Sequence, residues 1–156
     1  MKKYLLLISL LFLITLNTVH ADEHPALSAG QTVYVPAYSH IYIGNREKPF
    51  LLTVTLHVRN VDPKNTITLR YVDYYDSNGN LLKKYLPKPL TLRPLSSSRH
   101  VVPRNEKQGG SGAGFVMSWT AEKVVNPPIV ETVMIGAESQ QGISFTSRGQ
   151  VIAAGQ

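Results

Sequence analysis

The sequence predicts an all-β protein, an antiparallel immunoglobulin-like β-sandwich of seven to nine strands, with a small β-barrel as the alternative. Three observations predict it. Short apolar or alternating runs recur along the chain, and each is closed by a turn signal. No stretch keeps a helical amphipathic period for more than two turns, and there is no internal repeat or heptad pattern. The chain holds no cysteine, so no disulfide framework or thiolate metal site competes with a hydrophobic core as the organising element.

The N-terminus is read separately. Met1-Lys2-Lys3 is positive, Tyr4 to Leu16 is almost wholly apolar, and Val19-His20-Ala21 supplies the small residues a signal peptidase needs. Residues 1–21 therefore read as a signal peptide. Their apolar run is too short to span a bilayer comfortably, and no cysteine follows it to carry a lipid. The expected location is periplasmic or secreted, with no transmembrane segment in the mature chain. Residues 22–30 are polar, carry Pro25 and Gly30, and read as a flexible arm. Residues 31–156 read as one β-sandwich domain, long enough to bury about two-thirds of its unfolded surface.

Within the domain, Gln31 to Val35 is a first strand ended by Pro36. Ala37 to Ile43 alternates and should place Tyr38, His40 and Tyr42 on one face. Gly44-Asn45 turns the chain. Phe50, Leu52, Val54, Leu56 and Val58 then alternate with polar residues, the pattern of one half-buried strand. Asp62-Pro63 marks a turn, and Thr66 to Tyr75 is the next strand. Asn78-Gly79 predicts a two-residue type I′ hairpin, which would set Asp73 opposite Lys84 and Val72 opposite Tyr85. Leu90 to Leu92 and Arg99 to Val102 are strand pieces interrupted by Pro94. Phe115, Met117 and Trp119 share one strand face. Asn126-Pro127-Pro128 breaks the chain before Ile129 to Ile135, a nearly continuous apolar run that predicts a central strand. Ile143 to Phe145 and Val151-Ile152 complete the pairing.

Three segments resemble a signature of one bacterial family. They are Gly109-Gly110-Ser111-Gly112-Ala113-Gly114-Phe115-Val116 with Trp119, Pro127 through Gly136, and Gly142 through Gly149. The family is the domain of unknown function 3124, and the resemblance runs from about Gly30 to Ile152. It implies a small exported bacterial protein and assigns no catalytic or binding residue.

The residues themselves offer three candidate sites. Gly110, Ser111 and Gly112 sit in a glycine-rich loop whose backbone N–H groups can cradle an anion, with Arg104 and Lys107 just before it. The loop lacks the Lys-Ser/Thr ending of a phosphate-binding P-loop. Tyr38, His40 and Tyr42 form a ring-bearing stripe suited to stacking on a sugar or a partner side chain. Cleavage after Ala21 would free Asp22-Glu23-His24, whose amine, two amides and imidazole suit square-planar Cu(II) or Ni(II). No cofactor is implied.

Other constellations are weaker. Ser96-Ser97-Ser98-Arg99-His100 lacks the motifs of a serine nucleophile. Asp76 to Asn80 lacks the distal glutamate of a calcium loop. Glu131 stands alone inside an apolar strand and is expected to pair or face solvent. The formal charge of +6 falls to about +4 without Lys2 and Lys3, and no basic stripe points to nucleic acid. The reading is a binding or structural module for a protein, glycan or anionic partner. A metal or anion carrier and a hydrolase-type enzyme are the alternatives.

Overall fold

The computed structural model describes residues 26–138 and 141–154. The predicted signal peptide and the Asp22-Glu23-His24 candidate lie outside the described residues. Twelve described strands follow in order: β1 (Ser28–Pro36), β2 (His40–Ile43), β3 (Lys48–Leu51), β4 (Thr53–Arg59), β5 (Ile67–Tyr75) and β6 (Leu81–Lys84). Then come β7 (Leu90–Leu92), β8 (Ser97–Val102), β9 (Gly114–Val125), β10 (Ile129–Glu138), β11 (Gln141–Arg148) and β12 (Gln150–Ala154). The larger sheet runs β12-β1-β9-β5-β6, with β7 also paired to β5; the smaller runs β11-β10-β4-β8. Strands β2 and β3 form a separate hairpin. All pairings are antiparallel and neither sheet closes into a barrel. The sandwich is the architecture found.

Alternation explains the core. Val54, Leu56 and Val58 of β4 are wholly buried, as are Val35 of β1, Leu69 and Val72 of β5, Met134 of β10, and Phe115, Met117 and Trp119 of β9. In each strand the intervening residues face outward, so each sheet buries one face against the other. Strand β10 lies between β11 and β4, the central place its apolar run predicts.

The strand count exceeds the seven to nine expected because long runs bend. The run Phe50 to Val58 is two strands, not one. Leu52 lies at the break, where its amide donates to the Ser39 carbonyl at 2.9 Å, so β3 leaves to pair with β2. Ala37 to Ile43 also breaks. Ala37 N–H donates to the Ala113 carbonyl and Ser39 N–H to the Gly110 carbonyl, and β2 begins only at His40. Strand β1 starts at Ser28, inside the stretch expected to be an arm, because Gly30 pairs with Thr120.

The β5–β6 hairpin keeps the expected register at Asp73 and Lys84, and Tyr85 N–H donates to the Val72 carbonyl. Its loop differs. Among its residues only Gly79 has positive φ, at 82°, which rules out the type I′ turn. Asp76 N–H donates to the Asn80 carbonyl, and the Asp76 carboxylate accepts the Asn78 and Asn80 amides. The connection is thus three residues long, and a register shift past Tyr74 restores the pairing.

Candidate functional site

The β2–β3 hairpin is amphipathic. On one face Ile41 opposes Phe50, and Phe50 is buried in the core, which pins the hairpin to the sandwich. On the other face His40 opposes Leu51 and Tyr42 opposes Pro49. Proline is tolerated there because this hairpin belongs to neither main sheet. These four residues, with Lys107 from the β8–β9 connection and Glu138 at the end of β10, line a cavity of about 300 Å³.

The polar groups of the cavity are specific. His40 and Tyr42 meet edge to face, with ring centroids 5.1 Å apart and planes at 87°. The His40 Nε2 and the Tyr42 hydroxyl lie 3.2 Å apart, within hydrogen-bond distance. Glu138 accepts a hydrogen bond from Arg104 Nη2 at 2.9 Å, so its charge is matched. The ion pairs among the described residues are Arg104–Glu138 and Arg59–Glu131, and Lys107 belongs to neither. The cavity therefore presents apolar walls, one aromatic pair and one ammonium group.

Two separate sequence candidates meet here. His40 and Tyr42 of the aromatic stripe share a cavity with Lys107 of the glycine-loop group, and Arg104 backs it through Glu138. Tyr38 does not join them. The bend at Ser39 turns its ring toward Phe145, 5.9 Å away, where it packs on the core.

The glycine loop is engaged in its own packing. The Glu106 carboxylate accepts the Gln108 and Gly109 amides, and Ser77 Oγ accepts the Gly112 amide. The Gly110 carbonyl accepts both the amide and the hydroxyl of Ser39. Gly110 has a φ of 78°, a conformation that favours glycine, and Ser111 lies half-buried beside it. A Cβ on Gly109 would collide with the Tyr74 hydroxyl. Close approach and turn geometry thus explain these glycines, and a carboxylate already occupies the loop's leading amides.

A second cavity of about 210 Å³ lies on the far side of the β8–β9 connection, lined by Tyr74, Lys83, Tyr85 and Glu106 among others. Burial, and then the Glu106 carboxylate, push the Tyr74 phenol far above its ordinary range and the Tyr85 phenol up to about 12. His100 lies beneath Tyr85, with ring centroids 5.4 Å apart. Burial, and secondarily Lys83, lower its pKa. Ser98 Oγ stands 3.4 Å from His100 Nε2, and no carboxylate pairs with this histidine among the described residues. Glu131 faces outward and pairs with Arg59 at 3.6 Å. Among the described residues no three of His, Asp and Glu are grouped to hold a metal ion.

Pro49, Leu51 and Glu138 escaped the sequence reading. The first two carried a signal, since the Gly44-Asn45 turn folds them back opposite Tyr42 and His40. Glu138 carried none, because a pairing distant in sequence delivers it.

Fold and site together define an open antiparallel β-sandwich with a cavity of apolar walls and a lysine between the β2–β3 hairpin and the β8–β9 connection. The chain belongs to the family described as Protein of unknown function (DUF3124), whose model matches residues 30–152. No curated protein matches the chain. Among solved structures it is similar to a Thermotoga maritima protein, "Crystal Structure of Thermotoga maritima 1070". That likeness has a TM-score of 0.45 and 9% identity, and covers 80% of this chain and 97% of the other.

Proposed function

We propose that this protein is an exported binding module whose ligand seats in the cavity between the β2–β3 hairpin and the β8–β9 connection. One observation carries the reading: Lys107 stands outside both described ion pairs at a cavity walled by Tyr42, Pro49 and Leu51, while Arg104 neutralises Glu138. An ammonium group beside apolar walls selects a ligand with an apolar body and one anionic group. The His40–Tyr42 pair adds a polar edge for orientation. Few convergent polar groups in a mainly apolar concavity are what small-ligand sites share. The charged and apolar ordering of Met1 to Ala21 supports export.

Thermal-shift measurement with aromatic and medium-chain carboxylates tests the ligand class, since binding to the folded state raises its melting temperature. A shift is expected with the protein and with Lys88→Ala, and its loss with Lys107→Ala. Equal shifts for Lys107→Ala and the parent protein would remove Lys107 from the site. Mass spectrometry of the protein recovered from its producing cell tests export, with an N-terminus at Asp22 expected and an intact Met1 against it.

A further inference from the structure

The outer face of the smaller sheet carries a row of charged side chains remote from both cavities. The register aligns Arg148, Glu131, His57 and Arg99 directly across β11, β10, β4 and β8. Neighbouring strands lie about 4.8 Å apart, so the row crosses the sheet in about 14 Å. Arg59, one pair further along, reaches back to Glu131. The face thus carries three guanidinium groups and one carboxylate, and Arg59, Arg99 and Arg148 are exposed. The outer face of the larger sheet is different, since it sets Asp73 directly against Lys84.

Apolar side chains flank the row on both sides. Ile129 opposes Arg59 on one side and is 45% exposed. On the other side Val101 is 41% and Ile135 55% exposed, set among Thr53, Thr55, Ser144 and Thr146. A sheet face with excess positive charge and exposed β-branched groups complements a layer that is anionic at its surface and apolar just beneath.

We infer that this face docks on a lipid surface bearing phosphate headgroups. The arginines take the phosphates through paired N–H donors, a geometry that guanidinium provides and ammonium does not. Ile129, Val101 and Ile135 enter the headgroup boundary. A soluble polyanion would engage the charges and leave the apolar flanks in water, so the lipid surface is the occupant that uses the whole face.

Sedimentation with phosphatidylglycerol-containing vesicles tests this. Three proteins are compared: the parent, the triple variant Arg59→Gln/Arg99→Gln/Arg148→Gln, and Lys83→Gln/Lys84→Gln as a charge control on the other sheet. All share one N-terminus, so differences among them belong to the substituted faces. Each arginine at an anionic headgroup layer is worth about fivefold in partition, so the triple variant should bind about a hundredfold more weakly than the parent. The control should stay within tenfold of the parent. Val101→Thr/Ile135→Thr keeps β-branched residues and should weaken vesicle binding while leaving affinity for soluble polyphosphate unchanged. Equal loss in the triple variant and the control would overturn the proposal. So would polyphosphate binding as tight as vesicle binding with the threonine variant unaffected on vesicles, which would make the face a polymer site.

Discussion

The Tyr85 hydroxyl donates a 2.8 Å hydrogen bond to the Val101 carbonyl. Its own amide is bonded to Val72 of the larger sheet, so this one residue ties β5 to β8 across the open side of the sandwich. Its ring also packs on Phe115, with centroids 5.7 Å apart, and on His100. Tyr85→Phe should cost about 0.5–1.5 kcal/mol, the net worth of such a hydrogen bond. Tyr85→Ala should cost more, since it also strips the ring from Phe115 and His100. Urea denaturation of the two variants measures both, and an undiminished Tyr85→Phe would show that the tie contributes nothing to stability.

His100 should make stability fall as the solution turns mildly acidic. Its folded-state pKa is lowered below the ordinary 6.5 by burial first and by Lys83 second, so the unfolded chain takes up the proton more readily. Stability from the neutral ring is complete above 6.5, declines as pH falls below it, and levels off once the folded form also protonates. Tyr85 and Ser98 complete the ring's neighbourhood, and the raised Tyr85 pKa keeps that phenol neutral throughout. Denaturation from pH about 8 to about 5 should show the decline in the parent protein and lose it in His100→Phe. A slope shared by both proteins would assign it elsewhere.

Asp62 answers to much stronger acid. Its carboxylate accepts the amides of Lys64, Asn65 and Asn126 and the Asn65 side chain, joining the β4–β5 turn to the end of β9. Asn60 binds the same turn to the β7–β8 crossover through the Asn65, Leu92 and Arg93 carbonyls. The Lys64 amide leads the causes that hold the Asp62 pKa at about 2, against an ordinary 3.8. The stabilisation is therefore present above 3.8 and disappears as pH falls through about 2. Asp62→Asn should lower the melting temperature at neutral pH and flatten its dependence over that acid range.

Two glycines in the β10–β11 hairpin should respond oppositely to alanine. A Cβ on Gly136 would stand 2.5 Å from Phe50 Cε1 and 2.6 Å from the Leu51 carbonyl oxygen. That oxygen cannot yield without moving the backbone that carries the site, so Gly136→Ala should cost about 1–3 kcal/mol. A Cβ on Gly142 meets nothing within 4 Å, and its φ lies outside the left-handed region. Gly142→Ala should be neutral or stabilise by up to about 1 kcal/mol, through the unfolded chain. Matching losses in the two variants would refute the packing account.

The parts of this molecule legible in its sequence are those set by local alternation. The five apolar residues from Phe50 to Val58 announce a buried face because burial repeats every second residue. Even so, the alternation hid a change of sheet at Leu52, since side-chain direction is unaltered when the partner strand changes. Asn78-Gly79 correctly marked a hairpin, while the Asp76 side chain set its loop length by capturing two amides. The cavity was legible only in fragments. His40, Tyr42 and Lys107 were each singled out, but their meeting depends on the fold of the β8–β9 connection, and Glu138 arrives through pairing across the smaller sheet. Such contacts join positions far apart in the chain and leave no local trace.

The pairing of β1 with β12 has a consequence for biogenesis. Residues 31–34 lie beside residues 150–154, so β1 completes its sheet only after strands β2 to β11 have all been made. Until then one edge of β1 has no partner, and pairing over so long a loop is slow. A chain whose β12 is still inside a ribosome cannot close this sheet. The architecture thereby postpones its own completion, and loss of β12 would leave the waiting edge open to self-association.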